Sequence, residues 1–403
     1  MDDEKKIMQQ HKAYFCLDCG KCTGVCPVSK YDSKFSPRRI VEKAVYEGWE
    51  ELVKDPITWE CLTCNMCSLR CPADVHFIDF IQRLRVDALP AGNEGKCTHG
   101  ETIHSWMKAM AETDMEQDRL SYLGGGLEYG EEGEYLYFTG CLPHYQAYFG
   151  DWGLEMDTIA RSTIGVLNSF GIKPAVMRDE VCCGHDPLWA GDTETFTRLL
   201  EKNVKAIEKT GAKKIIVSCA ECLRTLSVDY PGFADGFNFE VVHLAQFLGE
   251  KLETVAEKTG VMTTGKKEGD RDGSVKVTYH DPCRMSKHLD ILDPPRAVLE
   301  SVGGVELVEM PHSGVRSLCC GTSLWMACGE VSKKIQIERL TEASGTGAEY
   351  LITACPKCQI HLRCAQREMG VQELDKIPMI DFATFINNQI SGKIEVPAEK
   401  VGT

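Results

Sequence analysis

No apolar run in this chain reaches the roughly 18–20 residues that a membrane-spanning helix needs. Basic residues are in deficit, with 45 Lys and Arg against 60 Asp and Glu and a net charge of −15. That balance argues against nucleic acid and against anionic membrane surfaces as direct partners. The opening Met1-Asp2-Asp3-Glu4-Lys5-Lys6 has neither an apolar h-region nor a twin-arginine pair. No G-x-G-x-x-G opens a helix after a strand, and Gly124-Gly125-Gly126 is not followed by Lys-Ser or Lys-Thr. A flavin or nicotinamide must therefore reside on a partner, and phosphate binding is not expected. These absences predict a cytoplasmic protein with no direct membrane insertion, attached to a membrane only peripherally through a partner subunit. The length of 403 residues predicts about two to four domains with real cores.

Cysteine, in contrast, is abundant: 21 residues, an odd number in clustered spacing. In a reducing compartment these are metal ligands rather than disulfides. Eighteen of them fall into two patterns, each present twice. The first is C-x2-C-x2-C-x3-C-P, at Cys16, Cys19, Cys22, Cys26 and at Cys61, Cys64, Cys67, Cys71. The second is a lone Cys, then Cys-Cys-Gly, then C-x2-C, at Cys141, Cys182, Cys183, Cys219, Cys222 and at Cys283, Cys319, Cys320, Cys355, Cys358.

The chain divides by this self-similarity. Residues 1–95 form a first domain and 96–133 a linker, glycine-rich and acidic from Leu123 to Glu134. Residues 134–258 hold one copy of the second pattern, 259–273 form a polar linker, and 274–403 hold the other copy. In the first domain Ser36-Pro37 opens a helix running to Val45, with serine as N-cap and proline at the first position. Val75 to Leu89 has helical spacing. The 34 residues between Cys26 and Cys61 leave room for further helices, so this domain is expected to be all-helical. The later blocks alternate strand and helix: strands at Tyr135–Phe138, Lys213–Val217, Val275–Tyr279 and Tyr350–Thr353, and helices at Ile159–Phe170 and Glu194–Lys209. Each strand runs into a cysteine, which predicts parallel α/β sheets with a site beyond the strand ends.

Three cysteines at three-residue steps turn their thiolates to one face, while the fourth, followed by Pro27 or Pro72, reaches a second cluster. This is the ligand run of bacterial-type [4Fe–4S] ferredoxins. It pairs Cys16, Cys19 and Cys22 with Cys71, and Cys61, Cys64 and Cys67 with Cys26. Structural zinc is the competing use of such C-x2-C pairs. Two one-electron clusters conduct electrons and do no bond chemistry.

In the second pattern 40 residues lie between Cys141 and Cys182 and 35 between Cys283 and Cys319, with 35 and 34 in the next gaps. One fold element therefore holds the same ligands twice. Five thiolates per copy exceed what a regular cubane takes. The pattern resembles the CCG domain of heterodisulfide reductases, and the N-terminal block resembles the helical ferredoxin subunit of the same enzymes. The resemblance covers nearly the whole chain. It implies an α+β multidomain protein: an all-helical 2[4Fe–4S] ferredoxin domain followed by two α/β CCG domains related by internal duplication.

Carried over residue by residue, the resemblance puts one non-cubane [4Fe–4S] cluster on Cys141, Cys182, Cys183, Cys219 and Cys222. The other falls on Cys283, Cys319, Cys320, Cys355 and Cys358. All ten cysteines are also the implied catalytic residues. A flavoprotein or membrane cytochrome subunit of an anaerobe, methanogenesis being one setting, would donate electrons. A small-molecule disulfide of the CoM-S-S-CoB type would be reduced to two thiols. A disulfide is a two-electron couple, and two facing clusters can each take one sulfur, so the disulfide is expected between the two CCG copies. The same architecture is similar to iron–sulfur relay subunits of glycolate and lactate oxidation complexes. It also resembles one component of a sulfate reducers' membrane complex, acting on a sulfur carrier. His144, His185, His280 and His288 near the ligands could protonate a leaving thiolate or orient a substrate's anionic group, but capping helices or bonding cluster sulfurs is the expected use of each. Arg284 and Lys287 are the candidates for an anionic substrate. Cys97, Cys328 and Cys364 are assigned no ligand role.

Overall fold

A computed structural model of the chain describes residues 2–112, 117, 119–120, 123–254, 261, 274–369 and 377–392. The expected linker 259–273 lies outside the described residues apart from Val261.

Residues 2–95 contain helices and turns and, among the described residues, no strand. The expected cap is present: Ser36 Oγ accepts from the Arg39 amide at 3.4 Å, and Pro37 begins the helix Pro37–Tyr46. Proline costs nothing there, because the first-turn amides have no intrahelical acceptor. The second expected helix spans Phe77–Ala88 and buries Phe77, Phe80, Ile81 and Leu84 at three- and four-residue steps. Each such fully buried side chain contributes about 1.5–3 kcal/mol. The segment 96–133 contains the helix Thr102–Ala111, whose Ile103, Trp106, Met107 and Met110 are buried. It packs on the helix Thr193–Lys209.

Two parallel sheets follow. The first has the order β1-β2-β3, with β1 Tyr135–Phe138, β2 Lys214–Val217 and β3 Glu240–His243. The second has the order β5-β4-β6-β7, with β4 Val275–His280, β5 Val305–Leu307, β6 Tyr350–Thr353 and β7 Met379–Asp381. Leu136-Tyr137-Phe138 and Ile215-Ile216-Val217 are buried throughout, as expected for strands covered on both faces. β1, β2 and β3 correspond to β4, β6 and β7. The place of β5 is taken in the first sheet by Ala175, which exchanges backbone bonds of 2.8 and 2.9 Å with Tyr135 and Tyr137.

The two copies contact each other reciprocally. The helix Met156–Ser169 of the first packs on Phe382–Ser391 of the second, and Leu244–Gly249 of the first packs on Asp293–Ser301 of the second. Met156–Ser169 and Asp293–Ser301 occupy equivalent places in the duplication, as do Leu244–Gly249 and Phe382–Ser391. Equivalent elements contacting each other in exchange are the mark of an approximate two-fold axis.

Candidate functional site: four sulfur sets at the domain junction

The N-terminal cysteines fall into two groups. Cys16, Cys19, Cys22 and Cys71 line one small cavity, and Cys26, Cys61, Cys64 and Cys67 line another. Short helical turns, Lys21–Gly24 and Met66–Leu69, converge each triad. Gly20 and Asn65, both left-handed (φ 74° and 67°), start these turns. The first cavity is near the surface, with Cys19 exposed, whereas Cys61 and Cys67 are buried. Burial pushes the Cys61 thiol up to about 11 and the Cys64 thiol up to about 12, so these sulfurs are poorly solvated as bare thiolates. A partner that neutralises four converging thiolates fits both cavities. Serine at Cys26 is expected to remove only the cluster of the Cys61, Cys64 and Cys67 triad, and serine at Cys71 only the other. Iron content with Mössbauer spectroscopy of each variant distinguishes this crossed pairing from a sequential one.

The five cysteines of the first CCG copy also line one cavity, with Thr139, Tyr145, His185, Asp186 and Glu221. Cys182 lies beside Cys141 and Cys183, Cys183 beside Cys222, and Cys222 beside Cys219. In the second copy Cys320 lies beside Cys319 and Cys358, and Cys358 beside Cys355. Cys283 is placed beside Cys320 at the rim. Each set is therefore a group of five soft donors, buried except for the half-buried Cys219 and Cys283, the chemistry that iron–sulfur clusters take. The sets meet at the two-fold axis, where the thiols of the equivalent Cys219 and Cys355 lie side by side.

The glycine after each cysteine pair has a geometric cause. Gly184 and Gly321 both have φ +83°. An added Cβ would lie 2.7 Å from Phe196 Cδ2 in one and 2.7 Å from Gln336 Cγ and Ser332 O in the other. Gly321→Ala is expected to cost about 3 kcal/mol through left-handed strain and overpacking. A lower melting temperature together with iron missing from the second CCG set would be observed.

The residues around the ligands depart from the sequence expectation. Arg284 is buried, and its donors are taken by the protein: Nε to His185 Nε2 at 2.8 Å, Nη1 to Thr63 O at 2.6 Å, and Nη2 to Thr63 Oγ1 at 2.8 Å. It lies 4.4 Å above the Trp189 ring. It thus ties the ferredoxin domain to both CCG copies, and the expectation that it binds an anionic substrate is corrected. The histidines take partners other than a helix end: His144 stacks on Trp106, His280 accepts from Arg339 Nε at 2.9 Å, and His288 contacts Thr63 O at 2.9 Å. Burial lowers the pKa of His144 to about 4, so it is neutral at physiological pH. His185 bonds Asp186 at 2.9 Å. Cys97 and Cys328 are half-buried and Cys364 is buried; all three lie outside the four sets.

Three residues escaped the sequence reading. His361 Nδ1 sits 3.6 Å from Cys320 Sγ. Lys357, fully enclosed, pairs with Glu221 at 3.0 Å and with Asp186. Glu221 and Lys357 hold the same place in the two C-x2-C repeats, and they meet across the two-fold axis. Opposite charges at matching repeat positions are the signal that could have found them. His185, Asp186 and Glu221 are also close enough to hold a metal ion, but the Lys357 ammonium already neutralises their carboxylates.

A cavity of about 1000 Å³ opens between the ferredoxin domain and the second CCG copy. Cys26, Cys64 and Cys319 line it, with Lys21, Lys30, Arg70, Lys287, His312 and Arg316. Its only carboxylate among the described residues, Glu338, is paired with Lys30 and Tyr31. Lys287 Nζ is buried and bonds Ser317 Oγ at 2.6 Å. No described helix is long and apolar enough to cross a membrane.

Comparison with known proteins agrees with this architecture. A 4Fe-4S dicluster domain family matches residues 12–75, and the cysteine-rich domain family CCG matches 135–227 and 277–363. One component of the dihydromethanophenazine:CoB–CoM heterodisulfide reductase of Methanosarcina barkeri is 27% identical over 383 residues, covering 86% of this chain and 87% of the relative. One component of the fumarate reductase (CoM/CoB) of Methanothermobacter marburgensis is 26% identical over 386 residues, covering 91% and 72%. The EtfAB:quinone oxidoreductase of Syntrophomonas wolfei is 25% identical over 348 residues, covering 81% and 46%. The chain is an iron–sulfur oxidoreductase subunit that joins a 4Fe-4S dicluster domain to two CCG domains, similar over most of its length to the Methanosarcina heterodisulfide reductase component.

Proposed function

We propose that this chain is the catalytic iron–sulfur subunit of a heterodisulfide reductase-like complex. It takes electrons through two [4Fe–4S] cubanes, held by Cys16, Cys19, Cys22, Cys71 and by Cys61, Cys64, Cys67, Cys26. It reduces a small-molecule disulfide to two thiols beside two non-cubane [4Fe–4S] clusters on the ten CCG cysteines. The observation that carries this reading is the meeting of two complete five-cysteine sets across an approximate two-fold axis. A two-electron couple handled in single-electron steps needs two such places. When bound, the clusters supply those single electrons and iron that accepts sulfur.

The chain's own residues account for the rest. The sulfur sets run in order from the exposed Cys19 to the buried Cys61 set, then past Cys64 to Cys319 and across Cys355 to Cys219. The Glu221–Lys357 pair and the Arg284 tie occupy the seam between the copies. The disulfide approaches from the basic cavity, where Lys287 and Arg316 receive its anionic groups and Cys319 lies at the wall. In this reading the approach is on the ferredoxin side of the expected location between the copies. His361, against Cys320, is positioned to hand a proton to a departing thiolate.

Electron paramagnetic resonance of the oxidised protein, with and without 2-mercaptoethanesulfonate, tests the reading. A thiol-induced paramagnetic signal is expected. Its absence with all clusters intact would favour a relay role of the glycolate or lactate oxidation type. Lys287→Gln with Arg316→Gln is expected to raise the thiol concentration needed for half the signal by about tenfold, since each charge-assisted contact is worth about 1.5–3 kcal/mol before solvent screening.

A further inference from the structure

We infer that the surface around Cys19 is the docking site of a small acidic one-electron carrier protein, which Tyr14, Phe15 and Leu17 seat and Lys21 attracts. The inference rests on the reading that the N-terminal domain takes electrons from a partner, and it names where that partner sits and what kind of surface it brings.

Large apolar side chains are seldom left in water without a use when they cluster. Three lie within four residues here: Tyr14, Phe15 and Leu17 are 49%, 62% and 66% exposed. They flank Cys16 and precede Cys19, an exposed ligand-run cysteine. Leu17 also lines the cavity of the Cys16, Cys19, Cys22 and Cys71 set. A protein seated on this patch therefore rests directly against the sulfur set nearest the surface. The other three sets are more enclosed.

Charge indicates the partner. Of the seven Lys and Arg in residues 12–43, Lys12, Lys30, Arg38 and Lys43 are paired with Asp74, Glu338, Asp18 and Asp55. The exposed cations left are Lys21, Lys34 and Arg39. Lys21 is exposed and lines the same cavity, and no carboxylate is within ion-pair distance of it among the described residues. An exposed cation beside an apolar patch selects an acidic partner. Electron-transfer encounters need only a small interface, so one three-residue patch with a charged rim suffices. The step itself is balanced: the carrier loses one electron, the first sulfur set's cluster gains it, and no bond in the chain forms or breaks.

The test uses the cluster-loaded full chain and oxidised flavodoxin, an acidic carrier, titrated by calorimetry at low and moderate salt. Binding that weakens with salt is expected. Tyr14→Glu with Phe15→Glu should weaken it at least about tenfold, and Lys21→Glu several-fold with a shallower salt dependence. Reduction of the clusters by dithionite should be unchanged in the Tyr14→Glu, Phe15→Glu variant, whose exposed side chains line neither the sulfur cavity nor the basic cavity. Absent binding to the wild-type chain, or equal affinity for the Tyr14→Glu, Phe15→Glu variant, overturns the inference. So does binding to vesicles of phosphatidylglycerol that this variant abolishes while its flavodoxin affinity stays, which would make the patch a membrane contact. Loss of dithionite reduction in this variant would trace its effect to the cluster and also overturn it. Failure of the disulfide reading shows elsewhere, in the thiol-dependent signal, which Tyr14→Glu with Phe15→Glu does not touch.

Discussion

Serine at Cys183 or at Cys320 is expected to lower viologen-linked reduction of the disulfide by at least about 100-fold, because a hard hydroxyl replaces a soft thiolate ligand. The two positions are equivalent in the duplication, yet they differ in place. Cys320 belongs to the set beside Cys64 and the basic cavity, and Cys183 to the set beyond the Cys219–Cys355 contact. If each set takes part in cleavage, both variants fall together, while Mössbauer spectra still show the iron–sulfur signal of the N-terminal domain. If the Cys183→Ser enzyme keeps full turnover, only the second set acts on substrate. If both variants keep it, disulfide reduction at these sets is wrong, and the chain conducts electrons only.

The second large effect concerns the junction. Arg284→Met leaves His185 Nε2 without its donor in a buried seam, takes one of two partners from each of Thr63 O and Thr63 Oγ1, and removes the cation from the Trp189 face. An orphaned buried acceptor costs about 1–3 kcal/mol, so with the lost contacts a loss of about 2–4 kcal/mol is expected. Thermal unfolding of so large a cluster protein is not two-state. The readout is therefore the temperature at which the visible cluster absorbance is lost. Arg284→Lys should fail nearly as badly, because one ammonium cannot reproduce a planar fork with a stacking face. A melting profile unchanged in Arg284→Met would show that the three modules hold together without it.

Much of the fold could be read before the structure, and particular residues show why. The C-x2-C-x2-C-x3-C-P runs encode their own local turns, which is why spacing alone proposes the crossed pairing of Cys26 and Cys71. Strand ends at Phe138, Val217, His280 and Thr353 preceded cysteines, and the sites formed there. Ser36-Pro37 capped its helix because both residues act within one turn. The short β3, β5 and β7 were missed: three or four residues such as Val305–Leu307 carry too little periodicity to stand out from a loop. Arg284 was misassigned for a different reason. Its charge is visible in sequence, but the acceptors that consume it come from residues 63 and 185, whose proximity only folding creates.

Ligand chemistry, domain order and the duplication are local or periodic properties, and the sequence by itself determined them. The tertiary structure alone decided that the two five-cysteine sets meet through Cys219 and Cys355. It also decided that the second CCG copy, not the first, faces Cys64, and that Glu221 finds Lys357 across the axis. These depend on how whole domains pack, where contacts between residues a hundred or more positions apart are selected by the burial of complementary surfaces and the pairing of buried charge. No spacing rule within one repeat carries that information.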